Sequence, residues 1–82
     1  MYRAEIKVTL KPGVLDPQGN AVENSLKSMN ITEVEDVRIG KLIQFTVNES
    51  DKEKANSLIE QACQRLLANP TIENYEFELL EV

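Results

Sequence analysis

From Tyr2 to Lys11 the chain alternates without a break. Tyr2, Ala4, Ile6, Val8 and Leu10 share one phase, and Arg3, Glu5, Lys7, Thr9 and Lys11 share the other. A period of two belongs to a strand with one face against a core and one toward water. Such a strand needs neighbours on its edges and a cover for its apolar face, and that need governs the reading of everything after it. Pro12-Gly13 ends it, because proline donates nothing to a ladder and glycine admits a turn.

The cover comes from two helical patterns. Asp16 then Pro17 reads as a helix N-cap with proline at the first helical position. Val22, Leu26 and Met29 follow as one apolar stripe with Ala21 beside it, and Asn30 suits a left-handed C-terminal cap. A second helix opens at Ser50-Asp51-Lys52-Glu53, read as a capping box with serine at the N-cap. Its stripe is Ala55, Leu58, Ile59, Ala62 and Leu66, and Asn69-Pro70 stops it.

The neighbouring strands come from two further segments. Val37, Ile39, Ile43, Phe45 and Val47 share one phase that runs through Gly40-Lys41. That admits a hairpin at Gly40-Lys41, the favoured reading, or one long strand bent at the glycine. Toward the end, Tyr75, Phe77 and Leu79 point inward with Glu76 and Glu78 outward. The expected class is α+β, with two helices on one face of a mainly antiparallel sheet in the order β-α-β-β-α-β, or with a single middle strand. If the first and last strands are neighbours, Arg3, Lys7 and Lys11 should meet Glu76 and Glu78.

One domain over residues 1–82 is the expectation for a chain of 82 residues. A domain this small buries only about 60% of its unfolded surface, and oligomerisation is a common remedy. The water-facing side of the sheet would carry Thr9, Leu42, Thr46, Leu80 and Val82, a candidate surface for self-association. The formal charge of −5 disfavours phosphate backbones and anionic membranes as partners. Met1-Tyr2-Arg3-Ala4-Glu5 does not read as a signal peptide, and no apolar run approaches the roughly 20 residues of a membrane span. The single cysteine, Cys63, forbids an internal disulfide and fits a reducing cytoplasm.

Catalytic signals are missing. The chain has no histidine, the commonest general base and metal ligand. Cys63 lies beside the second apolar stripe, where it reads as a small hydrophobe rather than a nucleophile. With one cysteine and no histidine, no zinc site is expected. Glu33, Glu35 and Asp36 cluster before a strand and read as a solvated turn. Gly40-Lys41 is followed by leucine, not serine or threonine, so it is not a phosphate loop. Phe45 is the sole aromatic on the middle segment and points toward the helices, which disagrees with an RNA-stacking sheet. Binding to other proteins is the function class that remains.

Three segments carry a resemblance: Leu10-Lys11-Pro12-Gly13-Val14-Leu15-Asp16-Pro17-Gln18-Gly19, then Val37-Arg38-Ile39-Gly40-Lys41, then Leu66-Leu67-Ala68-Asn69-Pro70-Thr71-Ile72-Glu73. In this order and spacing the chain resembles PurS, the small subunit of bacterial and archaeal phosphoribosylformylglycinamidine synthase, over essentially its whole length. Asn30 stands where glycine would be expected after the first helix, a replacement a left-handed cap tolerates.

The resemblance implies a non-catalytic subunit in de novo purine biosynthesis. The enzyme, a glutamine-dependent ligase, converts formylglycinamide ribonucleotide, glutamine and ATP to formylglycinamidine ribonucleotide. The small subunit would bridge a PurL-type synthetase and a PurQ-type glutaminase and support ammonia transfer, in the cytoplasm. It would form a homodimer or a tetramer. It would hold no cofactor, ATP and magnesium belonging to the synthetase, and contact neither nucleic acid nor membrane. Within the matched motifs, Arg38, Lys41, Asp16, Gln18, Gly19 and Asn69 are the candidates for partner contact; arginine in particular is enriched at interface hot spots. Asp16, Gly19 and Asn69 also have structural readings as caps or turn residues, whereas sequence alone gives Arg38 and Lys41 none. The alternatives are a dimeric ACT-type regulatory module that binds a small molecule, and an enzyme with a cryptic carboxylate site.

Overall fold

The alternating segment becomes β1, Tyr2–Leu10, and it is the middle strand of the sheet. The computed structural model describes residues 1–82. Helix α1 spans Pro17–Ser28, β2 Lys41–Val47, α2 Lys52–Ala62 and β3 Glu73–Glu81. The strand order is β2-β1-β3, and β1 runs antiparallel to both neighbours. The α+β class with two helices and an antiparallel sheet is therefore found.

The middle hairpin is not formed. Residues 34–40 lie outside any strand, β2 begins at Lys41, and the order is β-α-β-α-β. The reason is competition for backbone donors. The N–H of Val37 donates to Glu23 Oε1 (3.2 Å) and that of Ile39 to Asp16 Oδ2 (2.9 Å), so neither is free for a ladder. Gly40 then passes so close to β1 that a Cβ there would lie 2.4 Å from the Val8 carbonyl oxygen. With three strands, the chain lacks the fourth strand of the ACT-type order.

The inner face of β1 is the centre of the core. Ala4 and Ile6 are fully buried and Val8 nearly so, packed with Ile59, Cys63 and Ala68. Ala55, Ile59 and Cys63 stack at intervals of four along α2. Leu66, expected on that stripe, is instead 81% exposed. Residues Cys63–Leu67 form a π-helical turn closed by Ala68 N–H to Cys63 O (3.0 Å). The wider turn swings Leu66 outward and brings Ala68 to the core in its place.

Caps differ in detail from expectation. Asp16 caps α1 as read, its Oδ1 accepting from Gly19 N–H. Asn30 is left-handed (φ 64), and the bonds Ile31 N–H to Leu26 O and Asn30 N–H to Lys27 O make a Schellman ending. For α2 the N-cap is Asp51, not Ser50. The Glu49 carboxylate takes the N–H groups of Ser50 and Asp51, leaving Asp51 Oδ1 to accept from Glu53. Asn69 does not cap α2, which ends through Ala68; it builds the turn into β3, where its carbonyl accepts from Ile72 and Glu73.

On the outer face Lys7 stands opposite Glu76 as expected, but Glu78 stands opposite Glu5. That like-charge pair sits mid-sheet between the exposed Leu42 and Leu80.

No hydrophobic side chain from 11 to 40 belongs to the core cluster or is among those packed against it. Helix α1 and the segment after it form an arm. The radius of gyration is 16.1 Å, against about 12 Å for a compact chain of this length.

Candidate functional site

The matched segments converge at the base of this arm. Asp16, only 9% exposed, is its pivot. One carboxylate oxygen accepts from Gly19 N–H within α1 and the other from Ile39 N–H across the chain, both at 2.9 Å. Those two bonds, that from Ile39 foremost, hold the Asp16 carboxyl below its ordinary range, with the Arg38 charge adding to them. Two turns further, Glu23 repeats the arrangement. It accepts from Val37 N–H and pairs with Lys27 Nζ at 3.3 Å, and its carboxyl is held low chiefly by the Val37 amide.

Gly19 makes this approach possible. A Cβ there would lie 2.2 Å from the Val37 carbonyl oxygen and 3.0 Å from Asp16 Oδ2. Arg38 Nη1 donates to Val14 O (3.0 Å) and its Nε to Asp36 Oδ1 (3.3 Å). Arg38 thus has a structural duty that sequence reading does not reveal, since Val14 is 24 residues away.

Two open grooves flank Asp16. One, of about 330 Å³, is lined by Val14, Glu23, Asp36, Val37 and Arg38 among others. The other, of about 280 Å³, gathers Gln18, Gly40, Lys41 and Glu73. Asp16 lines both. The structure therefore brings Asp16, Gln18 and Lys41 to one groove and places Arg38 on the other. Gly19 is buried beneath, and Asn69 lines neither. Glu23 was missed by sequence reasoning; an acid in the middle of a helix carries no mark of which distant amide it will hold.

None of this is an acid–base pair or a metal cage. The carboxylates are spent on backbone amides, and no group of three histidine, cysteine or acidic side chains could hold a metal ion. Cys63 is fully buried and burial pushes its thiol up, the opposite of an activated nucleophile. No helix is long and apolar enough to cross a membrane.

Because both carboxyls are depressed on folding, their contribution to stability is full above the unfolded carboxylate range and is lost as pH falls through the folded values. Acidification from about pH 5 downward is expected to loosen the arm base progressively. Amide exchange at Val37 and Ile39, compared at pH 6 and pH 3.5 after correction for intrinsic rates, reads this directly. In Asp16→Ala the Ile39 amide is expected to be unprotected at either pH, and equal protection in variant and parent would refute the assignment.

The comparisons with known proteins agree over nearly the whole chain. The family model described as PurS, phosphoribosylformylglycinamidine (FGAM) synthase, matches residues 3–81. The PurS subunit of Bacillus subtilis is 48% identical over 82 residues, covering 100% of this chain and 96% of that protein. The crystal structure of PurS from Methanocaldococcus jannaschii superposes with a TM-score of 0.87 at 34% identity, covering 100% of this chain and 99% of that one. That protein is described as one of the subunits of formylglycinamide ribonucleotide amidotransferase in the purine biosynthetic pathway. A chain in the structure of PurLQS from Thermotoga maritima matches with a TM-score of 0.87 at 35% identity, covering 96% of each chain.

Proposed function

The chain belongs to the PurS family of phosphoribosylformylglycinamidine synthase subunits, and on that footing we propose that it is the small, non-catalytic subunit of this enzyme in purine biosynthesis. It bridges a PurL-type synthetase and a PurQ-type glutaminase. The observation that carries this reading is the match, over 96% of both chains, to a protomer of the assembled PurLQS complex. The chemistry of the site supports it: a rigid, amide-clamped arm base with exposed groups around it offers surface and no reacting group.

A bridge of this kind serves the reaction by enclosure. Ammonia released to water is protonated or lost, so the glutaminase and synthetase sites must be joined in a sealed, oriented assembly. ATP and magnesium belong to the synthetase subunit. The small subunit acts as one domain over residues 1–82, in the cytoplasm, as a homodimer that pairs further into a tetramer when alone. It binds neither nucleic acid nor membrane. Lys41 and Gln18, both exposed on one groove, and Arg38 on the other are the partner-contact residues, with Asn69 at the adjoining turn. Asp16 and Gly19 contribute by fixing the arm that presents them.

Reconstitution of the three subunits tests the proposal. Glutamine-driven synthesis is expected to fall at least tenfold without this chain, while synthesis driven by high ammonia changes little. Lys41→Ala is expected to weaken assembly while leaving Tm within about 2 °C, since exposed side chains with no partner contribute little to stability. Equal glutamine-driven rates with and without the chain would sink the bridging role.

A further inference from the structure

At the end of α2 an alanine stands in the core where a leucine could. Ala55, Ile59 and Cys63 reach the core at intervals of four, and Ala68 is the next fully covered residue, five further on. An α-helical winding carried past Cys63 would place Leu66 and Leu67 over the core instead. Leu67 is only half-buried, and Leu66 is 81% exposed. Leucine gains more from burial than alanine, and a π-turn is an uncommon winding, so this arrangement needs a local cause.

The start of β3 grips the chain on both sides of the turn. Above it, Glu60 in the last turn of α2 accepts from the Tyr75 hydroxyl and, on the same oxygen, from Gln64 Nε2 at 3.2 Å. Gln64 lies inside the π-turn, and Tyr75 lies on β3 opposite Val8 of the central strand. The bond to Glu60, and after it burial, hold the Tyr75 phenol above its ordinary range, so it remains a donor. Below the turn, Asn69 N–H donates to the Glu73 carboxylate and Glu73 N–H to the Asn69 carbonyl, both at 2.7 Å. Between these grips Ala68 sits where an α winding would bring an earlier residue, and the wide turn takes up the surplus.

We propose that Tyr75, Glu60 and Gln64 form a latch that sets the winding at the end of α2. Latched, the segment is the π-turn, with Leu66 in water and Ala68 in the core. Released, it continues as an α-helix, and Leu66 takes the place of Ala68. These are two discrete packings of one segment, and two side-chain hydrogen bonds select between them. The latch is carried by α2, the turn and β3, so the exchange leaves β1 and β2 in place. It controls whether a large apolar side chain stands on the surface just ahead of the turn that leads to Glu73, a residue of the Lys41 groove.

Tyr75→Phe tests the latch, since it removes one oxygen and keeps the ring. In a methyl-labelled chain followed by NMR, the parent is expected to show Ala68, and not Leu66, in contact with core methyls such as those of Ile59. In Tyr75→Phe the Leu66 contacts are expected to appear and those of Ala68 to fade. Gln64→Ala removes the other bond from an exposed position and is expected to shift the same signals in part. Stability reads the switch independently, at equal protomer concentration. Leu66→Ala is expected to move the urea midpoint of the parent by no more than about 5%, because the side chain is exposed. In the Tyr75→Phe chain the same change is expected to lower it by at least about a tenth, because the leucine is then buried. If Ala68 keeps its core contacts in both variants and Leu66→Ala is equally mild with and without the Tyr75 hydroxyl, the latch is overturned. A parent chain in which Leu66 already touches Ile59 overturns it as well.

Discussion

Gly19→Ala is expected to detach the arm from the strand that follows it while leaving the sheet folded. The alanine methyl would fall 2.2 Å from the Val37 carbonyl oxygen, and the atom it meets is backbone, so it cannot turn aside as a side chain could. Relieving the clash moves segment 37–39 off α1 and breaks the Ile39–Asp16 and Val37–Glu23 bonds. Overpacking of this kind costs about 1–3 kcal/mol. Spent on a local opening, that lowers protection of the Val37 and Ile39 amides roughly 10- to 100-fold in hydrogen exchange, while central amides such as Ile6 keep theirs. In the reconstituted enzyme the same variant is expected to lose glutamine-driven activity, because the grooves around Asp16 lose their shape. Unchanged protection at Val37 and Ile39 would show that Gly19 holds nothing in place.

Ile6→Ala is expected to have the largest effect on stability. Ile6 is fully buried at the middle of the central strand, opposite Ile43 on one side and Phe77 on the other. Removing its outer carbons leaves a cavity that three strands and α2 cannot jointly close, at a cost of about 2–5 kcal/mol. A domain of this length holds on the order of 4–12 kcal/mol in total, so much of its stability goes at once. The urea midpoint of Ile6→Ala should fall by at least about a sixth relative to the parent. Leu42→Ala, one residue before Ile43 on β2 but on the outer face and 57% exposed, should stay within about 0.5 kcal/mol. Similar losses in the two variants would mean that the inner and outer faces are misassigned.

The contrast between those two leucine and isoleucine positions was legible in the sequence, because alternation is a local property of a pleated strand. The Asp16 cap, the left-handed Asn30 and the inert Cys63 were legible for the same reason: each depends on neighbours within a turn or two. So was the lack of catalytic groups, which follows from the residues themselves. What the tertiary structure alone decided is where competing partners meet. Segment 34–40 had the phase of a strand, but carboxylates 14 and 23 residues away took its amides. The register put Glu78 opposite Glu5 rather than a basic residue, and one wide turn sent Leu66 outward. The same carboxylates fixed the base of the arm and, with it, the arrangement of the candidate contact residues. A backbone N–H bonds to whichever acceptor the folded chain brings closest, and that distance is set by packing across the whole molecule, not by the pattern of side chains around the donor.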